Sequence, residues 1–146
     1  MSRGGITREV VGKGIVALGG NEFETGIITI AAGITLKAGS LLKRAGSKFA
    51  PVLDTSPQTI TADVNETATQ IPIPGTTKDT PVAVNPFDIP NPGASAADLS
   101  LRAIISGPVR ADLLLVGTQG TTDDQNDMLR NYGIIPIQEN DISWTE

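Results

Sequence analysis

A chain of 146 residues with net charge −5 and a pI near 4.6 is of single-domain size and lacks the basic surplus that binding nucleic acid through a broad face requires. It contains neither cysteine nor histidine, which excludes disulfides, thiolate chemistry, the commonest general base and the commonest metal ligand. Aromatic residues are 3% of the chain against 16 Gly and 10 Pro, so the composition predicts a turn-rich, mainly β domain with a thin core and some stability shared between subunits.

Residues 1–25 read as an N-terminal arm. Glycines at 4, 5, 12, 14, 19 and 20 break any sustained period, and ITREVV could be a strand with no local partner. An unpaired strand is suited to pairing with another chain. The N-terminus MSRGGITREVVGKG has no apolar h-region, and the longest apolar stretch, GIITIAAGITL, is about half the ~20 residues that span a bilayer. A soluble protein made in the cytoplasm is expected.

GIITIA (26–31) is a β-branched strand, and SLLKRA (40–45) and KFAPVL (48–53) form a hairpin about Gly46-Ser47. Pro51 cannot donate to a ladder, so the second strand is an edge or ends early. Residues 54–79 are Thr- and Pro-rich without an aromatic and read as a long surface excursion, in which QTITADV pairs with TQIPI. TPVAV begins a strand. LSLRAIIS places Leu99, Leu101, Ala103 and Ile105 on one face, and VRADLLLV places Val109, Ala111, Leu113 and Leu115 in step, with a turn or sharp bend at Gly107-Pro108. TTDDQNDMLRNYG is the one clear helix. Thr122 and Gln125 make a capping box, Asp123 and Asp124 suit the N-terminal end of the dipole and Arg130 its C-terminal end, and Gly133 fits C′. Its narrow apolar face is Met128, Leu129 and Tyr132. IIPIQ is a last strand and ENDISWTE a tail.

Motifs that carry chemistry elsewhere lack their context here. GKGIVA (12–17) has the form G-x-G-x-x-A, but Gly19-Gly20-Asn21 stops the helix that a dinucleotide site needs, and no Ser or Thr follows Lys13 as in a P-loop. Asp123, Asp124 and Asp127 are better read as first-turn helix acids than as cation ligands. Asp54, Asp63, Asp79, Asp88 and Asp112 have no partner base or nucleophile at a recognisable spacing. The expectation is of no enzyme, no catalytic residue, no metal and no cofactor.

The blocks GITLKAGSLLKRAGSKFAPVLD, TPVAVNPFDI, LSLRAIISGPVRADLLL and DMLRNYGIIPI resemble, in this order, the lambda-type head decoration proteins of tailed phages. The resemblance covers residues 26–137. It implies a mainly β fold with one short α-helix, of the β-clip kind, preceded by an extended N-terminal arm (1–25) and followed by a C-terminal tail (138–146). It also implies a homotrimer on the outer surface of the expanded capsid of a virion. There it would lock neighbouring major capsid proteins, with no nucleic acid, membrane or small-molecule substrate as partner. On that reading Arg3, Ile6, Arg8, Val10, Val11 and Lys13 of the arm bind the capsid. Phe49, Phe87 and Tyr132 are candidates for the trimer contact only because large side chains are scarce, and an ordinary core place is the favoured alternative for each. The alternatives are another virion structural protein, such as a head fibre base or tail component, or a host-surface-binding module using residues 54–79.

Overall fold

A computed structural model describes residues 16–90 and 92–138. The elements are β1 (Glu22–Ile30), β2 (Leu41–Ala45), β3 (Lys48–Pro51), β4 (Thr59–Val64), β5 (Thr67–Pro72), β6 (Ala83–Val84), β7 (Ala97–Arg110), a 3₁₀ turn (Ala111–Leu113), β8 (Leu115–Val116), β9 (Gln119–Gly120), α1 (Asp123–Asn131) and β10 (Ile134–Ile137). The main sheet runs β1-β3-β2-β6-β7-β10, and β1 also pairs with β7. That second pairing closes five strands into a small barrel-like ring, with β10 attached outside along β7. The fold is mainly β with a single short helix among the described residues, as the composition and patterning predict.

Closure explains an otherwise odd burial pattern. Successive strand residues point to opposite faces, yet Leu41 and Leu42, Ala83 and Val84, and Ala103 and Ile104 are all buried pairs. The sheet is covered on both sides there. One cluster, Ile28, Ile30, Leu36, Leu42, Phe49, Ala83, Leu101 and Ala103, fills the ring. The other, which includes Val16, Leu41, Val84, Ile104, Val109, Leu129 and Ile134, lies between the sheet and α1 with β10. The second layer is what a nine-residue helix, too short to persist alone, docks on.

The hairpin forms as expected: Ala45 pairs with Lys48 around Gly46-Ser47, and β3 stops at Pro51. β4 and β5 pair from Thr59↔Pro72 to Val64↔Thr67 through Asn65 and Glu66, both with positive φ. The capping box of α1 is complete. Thr122 Oγ1 accepts from the Gln125 N–H at 3.3 Å, and Gln125 Oε1 accepts from the Thr122 N–H at 2.8 Å. The helix face differs from the expectation: Leu129 is buried, with Gln125 and Asn126 beside it, while Tyr132 is exposed.

Two boundaries are corrected. The arm does not extend to residue 25, because Val16 is 1% exposed within the second cluster, Ala17 bridges Val109, and β1 already begins at Glu22. Asn21 carries the join, its amide donating to the carbonyls of Pro108 and Ser106 at 2.9 and 3.2 Å. The glycines at 19 and 20 are a turn between two paired segments. Secondly, Gly107-Pro108 is no turn between strands. β7 runs through it and changes partner, pairing with β1 up to Ser106 and with β10 from Gly107 to Arg110. Up to Ile105 the predicted alternation holds across the register shift opposite Glu22/Phe23: Leu99, Leu101, Ala103 and Ile105 all pack on the cluster inside the ring, while Ile104 belongs to the other. Ala111 and Leu113 lie in the 3₁₀ turn and not in step with Val109.

Candidate interaction surfaces

The six arm residues expected to bind a capsid, Arg3, Ile6, Arg8, Val10, Val11 and Lys13, lie outside the described residues, as does GKGI (12–15) of the glycine motif. The three aromatics expected at a trimer contact are not brought together. Phe49 is 2% exposed inside the ring, its edge lying over Gly26, where a Cβ would sit 2.6 Å from the ring. Among the described residues it is the one aromatic of the buried core, and with no area left for a partner it is a core residue and not a contact residue. Arg44 covers its outer rim at 4.6 Å from the ring centroid and is held by a bidentate pair with Glu24 at 2.7 and 2.8 Å. Those hydrogen bonds hold the Glu24 carboxyl below the usual range. Phe87 and Tyr132 are exposed, 69% and 51%, but border different hollows.

The hollow at Phe87 is largely apolar. It is a cleft of about 320 Å³ lined by Thr25, Asn85, Pro86, Phe87, Leu101 and Arg102, among others. Asn85 builds its floor. The residue is 1% exposed, and its amide donates to the carbonyls of Lys37 and Phe87 at 3.1 and 2.7 Å, fixing the turn that turns Phe87 outward. Beside the cleft, β1 presents Phe23, Thr25 and Ile27 to solvent, opposite the β7 residues Arg102 and Ser100. The Arg102 guanidinium stacks on Phe23 at 4.9 Å from its centroid. Aromatics with Arg on an exposed apolar face are the composition of an interface core. Phe23, Ile27 and Arg102 are absent from the sequence-based expectation. Their signal was the alternation Phe23, Thr25, Ile27 against Ile28 and Ile30, cut in two by reading residues 1–25 as arm and starting the strand at Gly26.

The hollow at Tyr132 is more polar, with Lys43, Arg44, Lys78 and Asp79 in its wall. Asp79 clasps both ends of the excursion. It accepts from Lys43 Nζ at 2.7 Å and from the N–H groups of Leu53 and Asp54 at 2.9 and 2.8 Å. Burial pushes its carboxyl up, but the Asp54 and Leu53 N–H groups and Lys43 outweigh that and leave it below the ordinary value. From this clasp the β4–β5 ribbon projects with every β5 residue exposed. One face carries a Thr59–Gln70–Thr61 hydrogen-bond chain at 2.8 and 2.7 Å; the other carries the exposed pair Ile60 and Ile71.

Four of the remaining acids of the sequence reading have structural partners. Asp54 accepts from Ser56, Asp88 from the Ala38 N–H at 2.7 Å, Asp112 from Arg110 and Asp127 from Arg130. Among the described residues no group of three or more His, Cys, Asp or Glu could hold a metal ion, and no helix is long and apolar enough to cross a membrane. No family, curated protein or solved structure matches the chain.

Proposed function

We propose that this chain is a capsid decoration protein of the tailed-phage, lambda-like kind. It binds the outside of the expanded head as a homotrimer and holds neighbouring major capsid proteins together. The observation that carries the reading is the way the four sequence blocks of the resemblance fall on one connected structure. The first supplies β2 and β3, the second β6, the third β7, and the last α1 with β10. Five of these six elements are contiguous in the main sheet, and the sixth, α1, docks beside β10 through Leu129. We assign this frame to the β-clip kind on the same ground. The apolar, aromatic outer face of β1 and β7 supports a protein whose work is contact.

In this reading the work is mechanical. Residues 1–15 add a strand to capsid-protein elements, with Ile6, Val10 and Val11 as apolar contacts and Arg3, Arg8 and Lys13 steering the encounter. Ordering such a segment costs entropy, which three simultaneous footprints per trimer offset through high effective concentration. The test is binding of the full chain and of a 15–146 variant to expanded and unexpanded shells. The reading expects saturable binding of the full chain to expanded shells only, and its loss in the variant. Binding undiminished by the deletion refutes the arm's role, and no binding by either chain refutes the function.

A further inference from the structure

The outer β1–β7 face has a charge left over. Asp98 is paired with Lys48 at 2.8 Å and bonded to Thr29, and Glu24 is paired with Arg44; Glu22, at the far end of the strip, accepts from the Ser106 hydroxyl at 3.2 Å. Arg102 has no carboxylate partner among the described residues; its contact is the Phe23 ring. The face therefore offers a cation set among Phe23, Ile27 and Phe87 and beside an apolar cleft. Its complement is an acidic segment with large apolar side chains. The sequence after Gln138, Glu-Asn-Asp-Ile-Ser-Trp-Thr-Glu, has that composition: Glu139, Asp141 and Glu146 with Ile142 and the chain's single tryptophan, Trp144. The hollow at Tyr132 also has a cation outside the ion pairs, Lys78, but Asp79 stands in the same wall and Tyr132 is its one aromatic ring, so it fits an acidic segment with large apolar side chains less well.

Chain direction decides whose tail it is. β10 runs parallel to β7, and Ile137 stands opposite Arg110, so the chain leaves at the end of β7 remote from Arg102. From Arg110 back to Arg102 is about 26 Å along the strand at ~3.3 Å per residue. Trp144 stands about seven residues beyond Ile137, at most ~25 Å of fully extended chain. It sets out in the opposite direction and would have to reverse at once. A neighbouring copy meets no such limit.

We propose that the 139–146 segment of one copy docks on the Phe23–Arg102–Phe87 face of the next, with Trp144 and Ile142 over the apolar strip and an acidic side chain on Arg102. The contact is heterologous, so three copies can close it into a ring. This deepens the homotrimer reading and rests on it.

Trp144 reports its own docking. Emission of the full chain is followed over a concentration series, alongside sedimentation, for the unaltered protein, Arg102→Glu, Phe87→Ala and a chain ending at Gln138. Both substituted residues are exposed, and unchanged melting of dilute protein checks the protomer. The expected result is emission that shifts to shorter wavelength as concentration rises, in step with association. Each substitution should weaken association by about tenfold or more, as loss of a central aromatic or Arg anchor does, and the truncated chain should stay monomeric over the same range. Emission that never shifts, emission shifted independently of concentration, or association indifferent to all three variants overturns the proposal. Shell binding is a separate readout: a chain that decorates shells but shows no tryptophan shift fails this inference alone, and one that shows the shift without decorating shells fails only the functional reading.

Discussion

Gly39 and Gly46 both have positive φ, +93° and +64°, but only one of them is crowded. A Cβ at Gly46 would meet nothing within 4 Å; at Gly39 it would lie 1.9 Å from the Leu113 carbonyl oxygen and 2.8 Å from its carbon. The obstacle is backbone and cannot rotate away. It belongs to the seam where Leu115 N–H donates to Gly39 O at 2.8 Å and Gly39 N–H to Asn85 O at 2.7 Å. Gly46→Ala carries only the left-handed penalty, about 1–2 kcal/mol. Gly39→Ala carries that and must also displace the seam, with two hydrogen bonds at about 1 kcal/mol each at stake, so a total of about 4 kcal/mol or more is expected. Urea unfolding of the two variants side by side measures the difference. Where Gly39→Ala is too unstable to purify, Gly39→Ala with Leu113→Gly does not help, since the clash is with backbone, and soluble yield beside that of Gly46→Ala serves instead. Equal stability of the two variants would refute the argument that this seam, and not turn geometry alone, requires the glycine.

Four further predictions rest on named contacts. Asp79→Ala removes an ion pair and the acceptor of two backbone N–H groups and should cost about 2–3 kcal/mol, with limited proteolysis then cutting in residues 54–79 before the barrel; unchanged cleavage would contradict the clasp. Because the Asp79 carboxyl is held below its ordinary value when folded, its contribution is complete above the ordinary aspartate range and is lost as pH falls through the lower folded value, so urea midpoints of the unaltered chain and Asp79→Asn should converge on acidification. Leu129→Ala should cost about 2–5 kcal/mol, since Leu129 is the fully buried apolar anchor of α1; a melting temperature within a degree of the unaltered chain would mean the helix is not seated there. Removing residues 1–14 should leave thermal unfolding unchanged, whereas removing 1–25 takes Val16, Ala17, Asn21 and the first half of β1 and should abolish cooperative unfolding.

Local chemistry was legible in the sequence, and long-range pairing was not. The Gly46-Ser47 hairpin, the β4–β5 ribbon and the Thr122–Gln125 box each lie within a few residues and declare themselves by turn and cap chemistry. The start of β1 did not. NEFETGI alternates only weakly because its outer face is itself apolar at Phe23 and Ile27, and the segment's identity as a strand depends on β7, whose pairing residues lie about eighty positions away. Gly107-Pro108 looks like a turn to any local rule; only the exchange of β1 for β10 as neighbour shows why a strand tolerates a residue without an N–H there. The contact candidates suffered similarly. Scarcity of large rings made Phe49 a contact candidate, but the favoured alternative, a core place, is the one it takes, over Gly26, while Phe23 passed unnoticed in a supposed arm.

The central claim is tested most directly by counting copies in purified virions of the encoding genome, by quantitative mass spectrometry against the major capsid protein. The account predicts a ratio near one, with the chain released by mild heating before the shell breaks. A handful of copies per particle, or none, would contradict it.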